Sequence, residues 1–197
     1  MSAARDYFFV RANGHTVHND PARADCFVAG EPPLFPRTDY DHVQYCLGYD
    51  VVRMGWPGLG DLRLAPEVPD FSPCYGRLPQ RTREYLLAFR AIPVGGGVLM
   101  PGRHRPGVVY AGDVTLPYSY FHQPPTHPFE CAHRLGVRWD RDPVTGLPAE
   151  YHAADLGMSS RGGWWLWPFH HLAPGKHDEL IGRIERVRKA RQAPGAE

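Results

Sequence analysis

Two groups of residues in this sequence have the types that chemistry uses. The first is His122, His127, Cys131 and His133, which supply the imidazole and thiolate donors that zinc prefers. If Cys131 and His133 lie on one strand, their side chains share a face and are compatible with joint ligation. However, the spacing H-x4-H-x3-C-x-H fits no common structural zinc pattern, and Pro124, Pro125 and Pro128 make the path irregular. The expectation is that no metal is held and that these histidines are exposed or hydrogen-bonded. A small metal-dependent enzyme built on the His122–His133 cluster stands as the alternative.

The second group is aromatic. Trp56, Tyr118, Tyr120, Trp139, Trp164, Trp165 and Trp167 fall at strand ends or in the closing aromatic segment. Core packing is the expectation for Trp139 and Trp167. Trp56, Tyr120 and Trp164 or Trp165, with Tyr118 beside them, are candidates for the wall of a pocket for a flat, polar ligand. Asp61 is placed to accept from an amine of that ligand, and Ser159 or Ser160 to bond its edge. The plainer alternative is that Trp56 fills the core and Asp61 caps a short helix, since buried indoles and Asp caps are both common.

Other chemistries are absent. A metal-dependent nuclease of the acid-x-Lys type places a carboxylate two residues before a lysine, so that acids hold Mg²⁺ and the ammonium assists the attacking water. Here Lys176 follows Pro174 at that offset and Lys189 follows Val187. No serine sits in a G-x-S-x-G elbow. Gly95–Gly97 is not followed by Gly-Lys-Ser/Thr, and GWPGLGDL lacks the spacing of a nucleotide-binding fingerprint. The loop GMSSRGG, residues 157–163, offers two hydroxyls, a flexible backbone and Arg161, which suit a phosphate; an ordinary polar loop is the alternative.

The elements that must position these residues follow from hydropathy. DYFFVRA, residues 6–12, reads as a strand that is apolar on both faces, ended by Asn13-Gly14. Residues 15–40 show little periodicity and read as a long loop or insertion. Tyr40 to Tyr49 reads as a short helix ahead of VVRMGWPGLGDL, a buried strand (Val51, Val52, Met54) that ends in a glycine-rich turn carrying Trp56 and Asp61. Gln80 to Ile92 places Tyr85, Leu86 and Phe89 on one helical face. Residues 97–100, 107–116 and 118–122 read as strands, with a bend at Pro117. In residues 131–140, Leu135, Val137 and Trp139 alternate with Arg134, Gly136 and Arg138. His177 to Arg191 is an amphipathic helix with Leu180, Ile181, Ile184 and Val187 on one stripe; Arg183, Arg186, Arg188, Lys189 and Arg191 make the remainder basic. Arg183, Arg186 and Lys189, with Arg134 on the strand before, are the candidate phosphate contacts. A merely solvated face, or a protein-interaction module working through this helix, are the alternatives.

Composition bounds the function. A chain of 197 residues can bury a substantial core. Its formal net charge of +1 argues against a chain-wide electrostatic grip on nucleic acid and leaves room for a local basic patch. No apolar run approaches a membrane span, and the first residues lack the hydrophobic core of a signal peptide, so no membrane partner and a cytoplasmic location are expected. The four cysteines, Cys26, Cys46, Cys74 and Cys131, form no C-x-x-C pair and are expected to be free thiols. No cofactor is expected.

The order of FVRANG, VVRMGWPGLGDL, a helix, IPVGGGVLMPG, GVVYAGDVTLPYSY, HRLGVRW and SSRGGWWLW resembles the PUA-like, EVE-related domain at the N-terminus of Mrr-type restriction endonucleases. The resemblance covers most of residues 6–172. It implies an α+β, mainly β fold: a PUA-like β-barrel with flanking helices over residues 1–175, followed by the basic helix and tail of residues 176–197. The family usually has a Gly-Asp pair where this chain has Gly95-Gly96-Gly97. The resemblance further implies a non-catalytic reader of modified nucleic acid in a restriction or defence context, with a modified base in DNA flipped into the aromatic pocket. A nuclease or effector would then lie on a separate chain, or in a part of the protein outside these residues, since residues 1–197 carry no nuclease motif. Two stacked rings would offset the few kcal/mol needed to unstack one base, at about 1–3 kcal/mol per ring.

Overall fold

The computed structural model describes residues 5–11, 42–54, 61–64, 75–76, 78–102, 105–120, 133–159 and 169–193. Among them are seven strands in one sheet: β1 (Tyr7–Val10), β2 (Val51–Met54), β3 (Gly97–Pro101), β4 (Val108–Tyr120), β5 (His133–Trp139), β6 (Glu150–His152) and β7 (Phe169–Leu172). Three helices accompany them: α1 (His42–Gly48), α2 (Gln80–Arg90) and α3 (Asp178–Gln192). A single 3₁₀ turn, Leu62–Leu64, follows the segment that leaves β2.

The strands run in the order β2-β5-β4-β3-β1-β7, with β6 also paired to β4. All pairs are antiparallel except β1 with β3, where Phe8 lies opposite Val98. β5 and β6 lie in line along the same side of β4. Between them the chain leaves the sheet in a small hairpin, closed by bonds from Ala149 N–H to Asp140 O (2.8 Å) and from Asp142 N–H to Leu147 O (2.8 Å). The result is mixed α and β, mainly β, as the alternation of apolar residues predicts. Among the described residues β2 and β7 end the sheet and do not pair with each other.

Both faces of this sheet are covered, which explains why β1 is apolar on both sides. Phe8, Val52, Met54, Val98, Leu135 and Val137 pack with α1 and α2, through Val43, Cys46, Leu86 and Phe89. Tyr7, Phe9, Leu99, Val109 and Leu172 pack on the other face with Ile181 and Ile184 of α3. Trp139 belongs to the core, as expected: it is 2% exposed, and its indole N–H donates to Cys46 O at 2.9 Å, tying α1 to β5. Gly97 must be a glycine, because a Cβ there would lie 2.3 Å from the Tyr7 ring.

Two sequence expectations change. Residues 108–120 form one strand rather than two. The proline is accommodated because the register of β4 against β5 shifts between Val114 and Leu116 and again between Leu116 and Ser119, and Pro117 falls in the second irregularity. Second, Arg188 is not on the solvated face of the C-terminal helix. It is 4% exposed, and its guanidinium grips Asp140 through Nε–H to Oδ2 and Nη2–H to Oδ1, both at 2.6 Å. It also donates to Asp113 Oδ1 and to the Tyr7 hydroxyl, both at 2.9 Å. The cationic stem is buried by packing at the end of the Ile181–Ile184 stripe, four residues beyond Ile184 and seven beyond Ile181 on the same helical face.

Candidate functional site

The candidate site lies where the C-terminal ends of β2 and β4 meet the N-terminal end of β5. The register places Met54 and Tyr120 on either side of His133, and Arg53 and Ser119 on either side of Arg134. The bend at Pro117 turns Tyr118 inward, where it is 7% exposed, while Leu116 stays outside over Gly136. Period-two alternation from Leu135 and Val137 carries the next residue on that face, His133, into the interior at 1% exposure.

Three rings gather there. The Tyr118 and His133 rings lie 6.1 Å apart and nearly parallel at 22°, and Tyr120 sits 5.6 Å from His133 at 43°. Leu62 N–H donates to the Tyr118 hydroxyl oxygen at 3.1 Å, and the same hydroxyl is 2.8 Å from His133 Nδ1. Burial pushes the Tyr118 phenol up to about 12; the Asp61 carboxylate adds to that rise, and the Leu62 N–H opposes it.

Asp61 reaches this cluster from the 3₁₀ turn. Its Oδ1 accepts the Arg63 backbone N–H at 3.0 Å, and the carboxylate also pairs with the Arg63 guanidinium. Asp61 therefore caps a short helical turn, the plainer of the two expectations for it. Burial works to raise its carboxyl, but the side-chain and backbone donors of Arg63, with the charge of its guanidinium, hold it below the usual carboxylate value. The turn is fixed from two further directions: Arg90 of α2 donates to Leu62 O at 2.7 Å, and Tyr118 accepts the Leu62 N–H. An acid is thus held close to Tyr118 and His133.

The other expected residues are more dispersed. Arg134 lies on β5 with its guanidinium 5.8 Å from the Tyr45 ring centre, directly across from Arg53 of β2. Arg183 is exposed on α3, where it donates to Asp155 O (2.7 Å) and Ala154 O (2.8 Å) and so holds the 154–157 turn. Arg186 and Lys189 are exposed on the same helix, and Ser159 is exposed beyond Met158. Trp56, Ser160, Arg161, Trp164, Trp165 and Trp167 lie outside the described residues. So do His122, His127 and Cys131 of the possible metal cluster, which leaves His133 as its described member.

Sequence reasoning missed His133 as a partner of the tyrosines, although its place two residues before Leu135 carried the signal. Nothing in the spacing pointed to Arg63 or Arg90 as the clamps on the Asp61 turn. A polar cavity of about 370 Å³ opens at the other end of β5, lined in part by Asp50, Asp113, Asp140 and Arg141. Its acids are already engaged: Asp140 with Arg188, Asp113 with Arg5, Arg138 and Arg188, and Asp50 with Arg141. Compared with known proteins, the chain matches no protein-family model and no curated sequence.

Proposed function

We propose that this protein is a non-catalytic reader of modified nucleic acid, taking a flipped base, as in a modified DNA cytosine, against the rings at the β2–β4–β5 end. The observation that carries this reading is the half-buried Tyr120 ring, 5.6 Å from His133, at the strand end where Asp61 lies close to Tyr118 and His133. Bases stack on such rings whatever their sequence, and a fixed carboxylate accepts from an exocyclic amine. Arg134, half-buried on β5 one residue from His133 and on the other face of the strand, is the candidate phosphate contact at this end of the sheet. With a net charge of +1, affinity would come from the pocket more than from long-range attraction.

In this reading the sheet closes into a PUA-like barrel, the protein works in the cytoplasm of a restriction or defence system, and cleavage belongs to a nuclease or effector outside these residues. Trp56 and Trp164 or Trp165, which lie outside the described residues, are the further rings that this reading would recruit. The test is a binding panel of modified and unmodified oligonucleotides, single- and double-stranded, at stated salt. Trp56→Ala should weaken binding of the preferred oligonucleotide by about 1–3 kcal/mol. Asp61→Asn, which keeps the cap but removes the charge, should reduce discrimination between bases. Equal affinity for every modified and unmodified strand would sink the proposal.

A further inference from the structure

The hydroxyl of Tyr118 has two partners, and they decide where its hydrogen points. Leu62 N–H can only donate, and it does so to the phenol oxygen at 3.1 Å. The remaining partner is His133 Nδ1, at 2.8 Å. Tyr118 is 7% exposed and His133 is 1% exposed, so an O–H without an acceptor there would bear the full penalty of desolvation. The hydrogen bond is satisfied on both sides only if Tyr118 donates and Nδ1 accepts. An imidazole whose Nδ1 offers a lone pair carries its hydrogen on Nε2. A protonated ring would set an Nδ1–H against the Tyr118 O–H.

We infer that Tyr118 is a positioning residue that fixes His133 as the neutral Nε2–H tautomer, so that the site donates from this imidazole and does not accept. Two consequences follow. Any group that meets Nε2, of the chain or of a ligand, must be an acceptor; for a base this means a keto oxygen or a ring-nitrogen lone pair, and not an exocyclic amine. That consequence for ligand choice rests on the base-reader reading; the tautomer itself does not. Second, the ring has no lone pair left for a metal while the Tyr118 bond stands. Ligation through Nε2 would move the hydrogen to Nδ1 and leave the Tyr118 O–H without its acceptor.

The experiment is long-range ¹H–¹⁵N correlation on the full chain with ¹⁵N-labelled histidine near neutral pH, with His133 assigned by the signals that His133→Gln removes. The inference predicts a pyridine-like Nδ1 and a pyrrole-like Nε2, well separated in shift. In Tyr118→Phe the two values should move towards each other as the tautomers mix. Added zinc should leave the His133 signals in place. A pyrrole-like Nδ1 in the unmodified protein, a pattern unchanged in Tyr118→Phe, or a zinc-induced shift at His133 Nε2 would each overturn it. If Tyr118→Phe does not fold, the spectrum of the unmodified protein decides alone. An Nε2–H pattern in a protein that binds no oligonucleotide would count against the base-reader reading and leave the tautomer standing.

Discussion

Replacing Arg188 with methionine tests how the C-terminal helix is held. The guanidinium makes two charge-assisted bonds to Asp140, one to Asp113 and one to the Tyr7 hydroxyl, all at 2.6–2.9 Å. Burial alone favours loss of its proton, but Asp140, Tyr7 and Asp113 hold its pKa above the ordinary arginine value. In Arg188→Met the Asp140 carboxylate, whose side chain is 4% exposed, keeps the Tyr151 hydroxyl at 2.8 Å as its one remaining side-chain donor among the described residues. Removing one partner of a buried ion pair costs about 3–5 kcal/mol, because the other charge stays buried without its counterion. Against a total stability of about 5–15 kcal/mol for a domain, that is a large share. Asp140→Asn in the same chain removes the stranded charge, so the double variant should lose clearly less than the sum of the two single variants. Urea unfolding followed by far-UV circular dichroism measures all three. Ligand binding per folded molecule should be unchanged, since the network lies at the far end of β5 from His133, about 20 Å along seven strand residues. A loss below about 1 kcal/mol for Arg188→Met, or additivity within about 0.5 kcal/mol, would refute the reasoning.

Three further outcomes are expected. Arg188 and Arg5 outweigh burial and hold the Asp113 carboxyl below its usual value. A depressed folded pKa gives stability that is present above the unfolded value and lost as pH falls through the folded one; Asp113→Asn should therefore flatten the stability profile below about pH 4, read by urea titration across pH. Tyr118 behaves in the opposite sense. Its raised pKa of about 12 favours the folded state below the ordinary tyrosine value, and that contribution fades as pH rises through 12, so Tyr118→Phe should flatten the alkaline limb in the same titration. Gly136→Ala places a Cβ 2.7 Å from Leu116 Cβ, where neither backbone can yield cheaply, and should cost about 1–3 kcal/mol, read as a fall of several degrees in melting temperature; an unchanged melting temperature would show that the β4 bend is not tight there.

Much of the frame was legible because periodicity was strong. The alternation of Leu135, Val137 and Trp139 marks β5, and the stripe of Ile181 and Ile184 marks α3. β6 and β7 were not legible: unlike the apolar runs of β1 and β2, Glu150–His152 and Phe169–Leu172 are short and rich in polar residues, and they gain their strands by pairing with β4 and β1. Arg188 was misread because charge was taken as a sign of exposure, while its position on the apolar stripe said otherwise; the acids that neutralise it, Asp113 and Asp140, are distant in sequence. The tyrosines and Asp61 were picked out by residue type, and the fold brings them together. The clamp on the Asp61 turn could not be foreseen, since it depends on Arg90 of α2 and on the hydroxyl of Tyr118, 28 and 56 residues from Leu62.

The most direct measurement is equilibrium binding of the oligonucleotide panel to the unmodified protein and to Tyr120→Ala, followed by fluorescence anisotropy at fixed salt. The account predicts that one modified strand binds at least about tenfold more tightly than its unmodified counterpart. It also predicts that Tyr120→Ala, with its fold intact by circular dichroism, weakens that binding by about 1–3 kcal/mol, the loss of one stacking ring. Binding that does not distinguish modified from unmodified strands, or a Tyr120→Ala variant that binds as the parent does, would contradict it.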